Sequence, residues 1–179
     1  MKRSITFYIS AATRQTLLWI TYISTNWWPE NIITCKIRGF FVGKFFRKCG
    51  KNFQIGRNFR ILHPQNIEVG NDVYIAQDSW INAKGGIRLG DSVVIGPRCG
   101  LITTFHKKIE GRGYAHKIGA GECAPIKIDN GTWLAINAVV RHNITIGKYC
   151  VIAANAVVTK NVPDNTTVGG VPAKTLKQN

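Results

Sequence analysis

From residue 128 onward an apolar residue returns at every sixth position: Ile128, Leu134, Val140, Ile146, Ile152 and Val158. A second apolar or small residue follows each by four, at Thr132, Ala138, Ile144, Cys150, Ala156 and Val162. The same phase runs upstream through Ile55, Ile61 and Ile67, then Val69, Ile75 and Ile81, then Leu89, Ile95 and Leu101. A period of six fits neither an amphipathic helix nor a simple alternating strand. It fits a parallel β-helix, in which each hexapeptide forms one flat face and a corner, and its first residue stacks inward on its equivalent in the next coil. Two breaks interrupt the phase. Val69 to Leu89 is 20 positions, a three-face coil of 18 with two extra residues at Gly85-Gly86. Leu101 to Ile128 is 27 positions, one face of six and a 21-residue insertion, so roughly Lys107 to Pro125 leaves the coil as a loop.

At 179 residues the chain is long enough to bury a core without disulfides or metal. Its 45% hydrophobic and 18% charged residues exclude a disordered chain. Charge is lopsided. Of 24 Lys and Arg against 9 Asp and Glu, residues 1–60 hold 11 bases and a single acid. The five cysteines (Cys35, Cys49, Cys99, Cys123, Cys150) form no C-x-x-C pair, so a zinc-ribbon or redox reading lacks its spacing, and isolated thiols fit a reducing compartment.

The division expected is an N-terminal basic aromatic segment, 1–50, followed by a β-helix domain, 51–179, with its loop at 107–125. In the first part Ile5, Ile9, Ala12, Thr16, Ile20, Ile23 and Trp27 recur at helical steps. A second apolar stripe runs Ile33, Ile37, Phe40, Phe41, Phe45 with bases between, although Gly39 and Gly43 weaken a helix there. Such a segment either caps the rest of the chain with a solvated basic face or lies on an anionic membrane. Nucleic acid is not expected as a partner, because no stacking platform or recognition-helix pattern follows. Ile5–Ala12 is short and runs into Arg14, which argues against a secretory signal, and the uncharged run Gln15–Pro29 is too short and polar to span a bilayer. A cytoplasmic protein is expected, with peripheral contact at the membrane's inner face if the basic segment lies on lipid.

Residues 55–177 resemble the hexapeptide-repeat acyltransferases, and among them the galactoside and maltose O-acetyltransferases and those of O-antigen, capsule and colanic acid synthesis. The resemblance rests on Ile81-Asn82-Ala83-Lys84-Gly85-Gly86, Thr103-Thr104-Phe105-His106, Pro125-Ile126-Lys127-Ile128 and Trp133. Val157-Val158-Thr159-Lys160-Asn161-Val162-Pro163 and Gly169-Gly170-Val171-Pro172-Ala173-Lys174 complete it. It implies an all-β, left-handed parallel β-helix, a homotrimer with sites between subunits, and acetyl coenzyme A as acyl donor without a metal.

Acyl transfer to an alcohol needs a base, and histidine takes and returns a proton near neutral pH. His106 closes a coil where the loop begins, and the resemblance places the catalytic histidine there. His63 and His142 read as turn or corner residues, while His116, inside the insertion, is a candidate for the acceptor pocket. Asn82, one coil earlier on a matching face, is either an acceptor-binding amide or a stacked structural asparagine. Trp133 either packs on a sugar or the pantetheine arm, or plugs the space under the loop. Small residues at Ala135, Ala153 and Ala154 suit an extended pantetheine, and Thr159, Lys160, Lys174 and Lys177 match cofactor-contacting positions of the sugar acetyltransferases.

Departures from the family pattern are also legible. Ala135, Ala153 and Asn155 replace glycines, and Lys107 follows His106 where Pro or Asp is frequent. The group orienting His106 is therefore not evident, with Glu110 and Glu122 as candidates. A γ-class carbonic anhydrase needs three zinc histidines, which this chain does not space correctly. The expected activity is O-acetylation of a saccharide, free or lipid-linked, in surface-polysaccharide synthesis. The alternatives are N-acetylation of an amino-sugar nucleotide, acetylation of a streptogramin-type drug, or an inactive β-helix serving as a membrane-associated scaffold.

Overall fold

The computed structural model describes residues 5–106, 108–111, 113, 114 and 122–178. Two helices, α1 (Ile5–Thr25) and α2 (Ile32–Gly43), precede a stack of coils built from short parallel strands. The coils present three faces. The first carries Lys48–Cys49, Ile67–Val69, Ile87–Leu89, Ile126–Ile128 and Ile144–Ile146. The second carries Gln54–Ile55, Tyr74–Ile75, Val94–Ile95, Trp133–Leu134, Val151–Ile152 and Thr166–Gly169, with Lys174–Gln178 folded back antiparallel at its edge. The third carries Arg60–Leu62, Trp80–Asn82, Gly100–Ile102, Val139–Val140 and Val157–Val158.

The sixfold phase is the inward-pointing set. Ile55, Ile75, Ile95, Leu134 and Ile152 stack in register down the second face and are buried. Thr132, Ala138, Ile144, Cys150, Ala156 and Val162, the second residue of each hexapeptide, are buried too. Each inward Ile or Leu contributes about 1.5–3 kcal/mol, so the stack is the main source of stability. The first break falls where expected: Gly86 takes φ +95°, a left-handed conformation natural to glycine. A comparable turn occurs one coil earlier, where His63 at φ +60° leads into a short 3-10 turn at Pro64–Asn66. The insertion leaves the coil without disturbing it, since Ile87 pairs directly with Ile126.

Ser92, Arg98 and Tyr149 take positive φ, but most positive-φ corners fall on Asn or Asp, which tolerate it: Asn52, Asn58, Asp72, Asp78, Asn137, Asn143, Asn155 and Asn165. Their side chains link successive coils: the Asn52 amide donates to Asp72 at 2.7 Å and that of Asn137 to Asn155 at 3.0 Å.

The two helices pack as a cap on the coils, with the side opposite the apolar stripes inward. On α1 the core-facing residues are Leu18 and Thr25, flanked by Gln15 and Tyr22, whereas Thr16, Ile20 and Ile23 of the anticipated apolar stripe are exposed. On α2 the buried residues are Cys35, Arg38, Gly39 and Val42, and Ile33, Ile37, Phe40 and Phe41 point outward. Asn31 starts α2 with a capping box that receives the Ile33 and Thr34 amides at 3.0 Å. Gly39 belongs to the helix because a Cβ there would run into the Phe53 carbonyl. Arg38, read from sequence as one of the basic-face residues, is fully buried. It donates to the carbonyls of Thr25, Trp28, Pro29 and Ile55 and pairs with Glu30 at 3.3 Å. Among the described residues no helix is long and apolar enough to cross a membrane.

Candidate active site

His106 follows the short strand Thr104–Phe105 and is exposed where the insertion begins. That strand pairs antiparallel with Glu122–Cys123, Thr104 opposite Cys123 and Phe105 opposite Glu122, and this two-residue neck closes the loop's base. Phe105 stacks on His142 of the following coil, ring centroids 4.0 Å apart and planes 20° apart. Burial, followed by the positive Arg141 next to it, holds the His142 imidazole below its ordinary pKa.

Asn82 lies one coil earlier on the third face, in register with Ile102. Its side-chain amide donates to Thr104 Oγ1 at 3.2 Å, and its Oδ1 accepts the Lys84 N–H at 3.3 Å. Thr103, buried behind it, donates to the Asn82 carbonyl at 2.6 Å and accepts the Gly85 N–H at 2.9 Å. One buried hydroxyl thus ties the turn carrying Asn82 to the strand leading into His106. Sequence reading quoted Thr103 within a motif but gave it no role; a threonine at an inward position of a hexapeptide was the available signal.

The corner after the third face forms a column in which Thr103, His142 and Lys160 follow their strands in register, and Phe105, the residue before His106, stacks on His142. At its far end Lys160 and Lys174 line one cavity of about 290 Å³ with Asn161, Pro163 and Thr175. Two separate lysines of the sequence are thereby brought to one place. Lys177 is not among its lining; it pairs in register with Thr167 on the second face.

Trp133, Ala135, Ala153 and Ala154 fall elsewhere. Trp133 lies on the second face between Val94 and Val151 and is 49% exposed, so it does not plug the space under the loop, whose neck is on the third-face corner. Ala135 and Ala153 follow the second-face strands, with Ala153 N–H bonded to the Val168 carbonyl at 2.8 Å. Within one chain, then, the expected residues form two groups on different sides of the coil. Asn155 occupies a φ of +60°, where glycine is at ease and asparagine is tolerated, which explains how it replaces a family glycine.

His116 and Lys107 lie outside the described residues. Glu122 stands opposite Phe105, one residue from His106 in the ladder. No group of His, Cys, Asp and Glu among the described residues is arranged to hold a metal. A cavity of about 570 Å³ lies at the cap, away from His106.

Comparison with known proteins places this architecture. Residues 125–160 match the family described as bacterial transferase hexapeptide (six repeats). A Staphylococcus aureus (strain Mu50) protein named an acetyltransferase is 31% identical over 76% of this chain and 67% of its own length. Galactoside O-acetyltransferase of Escherichia coli (strain K12) is 28% identical over 79% of this chain and 68% of its own. A hexapeptide-repeat acetyltransferase of Vibrio cholerae, solved in complex with acetyl coenzyme A, superposes with a TM-score of 0.80 at 26% identity, covering 93% of this chain and 87% of that one. The coils are those of a left-handed β-helix, and the chain belongs to the hexapeptide-repeat acetyltransferases.

Proposed function

We propose that the protein transfers an acetyl group from acetyl coenzyme A to a hydroxyl of a saccharide, with His106 as general base. The observation that carries this reading is the column on the third-face corner. It sets an exposed histidine at one end and a cavity holding Lys160 and Lys174 at the other, with the Asn82 amide tied to the strand that delivers the histidine. Lysines suit the anionic phosphates of the donor as point charges. When bound, acetyl coenzyme A supplies an activated thioester. His106 takes the proton of the acceptor hydroxyl, whose oxygen then forms the new ester bond, and returns that proton to the departing thiolate. Thr104 occupies one of the two N–H groups of the Asn82 amide, and the other polarises an oxygen of the substrate.

In the single chain His106 is exposed, and Trp133, Ala135, Ala153 and Ala154 stand on another face. A homotrimer explains both facts, because a neighbouring copy would bring its second-face group against the His106 corner. His116 is assigned to the acceptor pocket, with a sugar of surface-polysaccharide synthesis, free or lipid-linked, as the acceptor. The test is thiol release from acetyl coenzyme A across a panel of sugars. His106→Ala is expected to cut turnover about 10²–10⁴-fold. Turnover that survives the substitution would remove His106 from this role. An absence of both turnover and coenzyme A binding would favour an inactive scaffold.

A further inference from the structure

We propose that the outward face of the α1–α2 cap is a docking surface for an anionic lipid bilayer. Both apolar stripes of the N-terminal segment point away from the coils. Trp27 is 88% exposed, Ile33 67%, Phe40 62%, Trp19 55% and Ile20 51%, while the opposite sides of the helices bury Leu18, Cys35 and Val42. A helix pair that hides its less apolar side and shows its aliphatic and aromatic side is built to meet a second apolar phase.

Charge selects which phase. Glu30, the single acid of residues 1–60, is engaged by Arg38 at 3.3 Å and the Arg57 N–H at 3.0 Å. Apart from the buried Arg38, the described bases of this segment stay outside. Lys36, Lys44, Arg47, Lys48 and Lys51 line, together with Phe40, the 570 Å³ cavity at the end of α2. Lys44 Nζ sits 4.3 Å from the centre of the Phe40 ring, so cation and exposed aromatic form one element. An apolar face bordered by bases matches a bilayer interface with anionic headgroups, the side chains entering the acyl boundary and the cavity receiving headgroup phosphate. A second copy fits less well, because apposing this face with itself would bring the five bases against their own counterparts, with Glu68, 3.5 Å from Arg47, offsetting one of them.

This inference is independent of the catalytic reading, and its readout is not turnover. Full-length protein is floated with vesicles of phosphatidylcholine containing phosphatidylglycerol, and with phosphatidylcholine alone, at low and high salt. Binding is expected to the anionic vesicles only and to weaken with salt. Ile33→Glu with Phe40→Glu is expected to abolish it. In Lys36→Gln with Lys44→Gln each lost base should weaken binding about fivefold. These sites are exposed, so unchanged thermal melting of the variants confirms folding. Wild-type protein that stays with the unbound fraction at low salt, or variants that float as it does, would overturn the proposal. So would sedimentation velocity in which the apolar variant alone dissociates the assembly, since the face would then be buried between copies.

Discussion

The rings of Phe105 and His142 stack 4.0 Å apart across two successive coils, and Phe105 is the residue immediately before His106. The imidazole of His142 is held below its ordinary value of 6.5, by burial first and by Arg141 second. As pH falls below that value the unfolded chain takes up a proton that the folded chain resists. Stability is therefore highest above it and declines as the solution is acidified through the lowered folded value. His142→Phe keeps the stack and removes the titration, so its melting temperature should fall less on acidification than that of the wild type. Parallel curves would remove His142 from the pH dependence.

Lys160 and Lys174 share one cavity, and each is expected to contribute to donor affinity. Lys160→Ala or Lys174→Ala should raise the KM for acetyl coenzyme A about tenfold with kcat little changed, the mark of an interaction made equally in the ground and transition states. The coupling between two such neighbours is read from the double variant. A fall in kcat without change in KM would contradict a phosphate-binding role.

Arg38 is fully buried with its guanidinium on four carbonyls and on Glu30, whose side chain keeps 25% of its exposure. Arg38→Ala should cost about 3 kcal/mol, the lower end for a broken buried pair because Glu30 reaches water. Chemical denaturation measures this directly. A loss below about 1 kcal/mol would mean that the cap contributes little to the cooperative unit.

Of the five cysteines, none in a disulfide, Cys123 is exposed and Cys35, Cys99 and Cys150 are buried. Burial pushes the Cys99 thiol up to about 11 and raises those of Cys35, Cys49 and Cys150. A thiol reagent at neutral pH should therefore modify Cys123 first, with Cys99 reacting only on unfolding. Mass spectrometry of the labelled peptides checks the order.

The coil was legible because stacking forces the same inward position in every turn, so Ile55, Ile75, Ile95, Leu134 and Ile152 announce themselves by spacing alone. The helices of the cap were legible as helices, but not their orientation. The usual inference puts the apolar stripe inward, and here Leu18 and Tyr22 go in while Ile20 and Ile23 stay out. Arg38 reads as one more base in a basic segment, since nothing local shows that four backbone carbonyls converge on it. Of the candidate site, His106, Asn82, Trp133 and the two lysines were nameable from motif, but not that Lys160 and Lys174 line one cavity, since they lie far apart in the chain. Thr103 escaped because its role is a hydrogen bond across coils.

The neck joining Thr104–Phe105 to Glu122–Cys123 has one more consequence. Ile87 meets Ile126 as though nothing intervened, so the segment between His106 and Glu122 is not needed to set the solenoid's register. The insertion is a cassette on a two-residue clasp, and a segment of another length exchanged after His106 would leave the coils on either side folded as they are now.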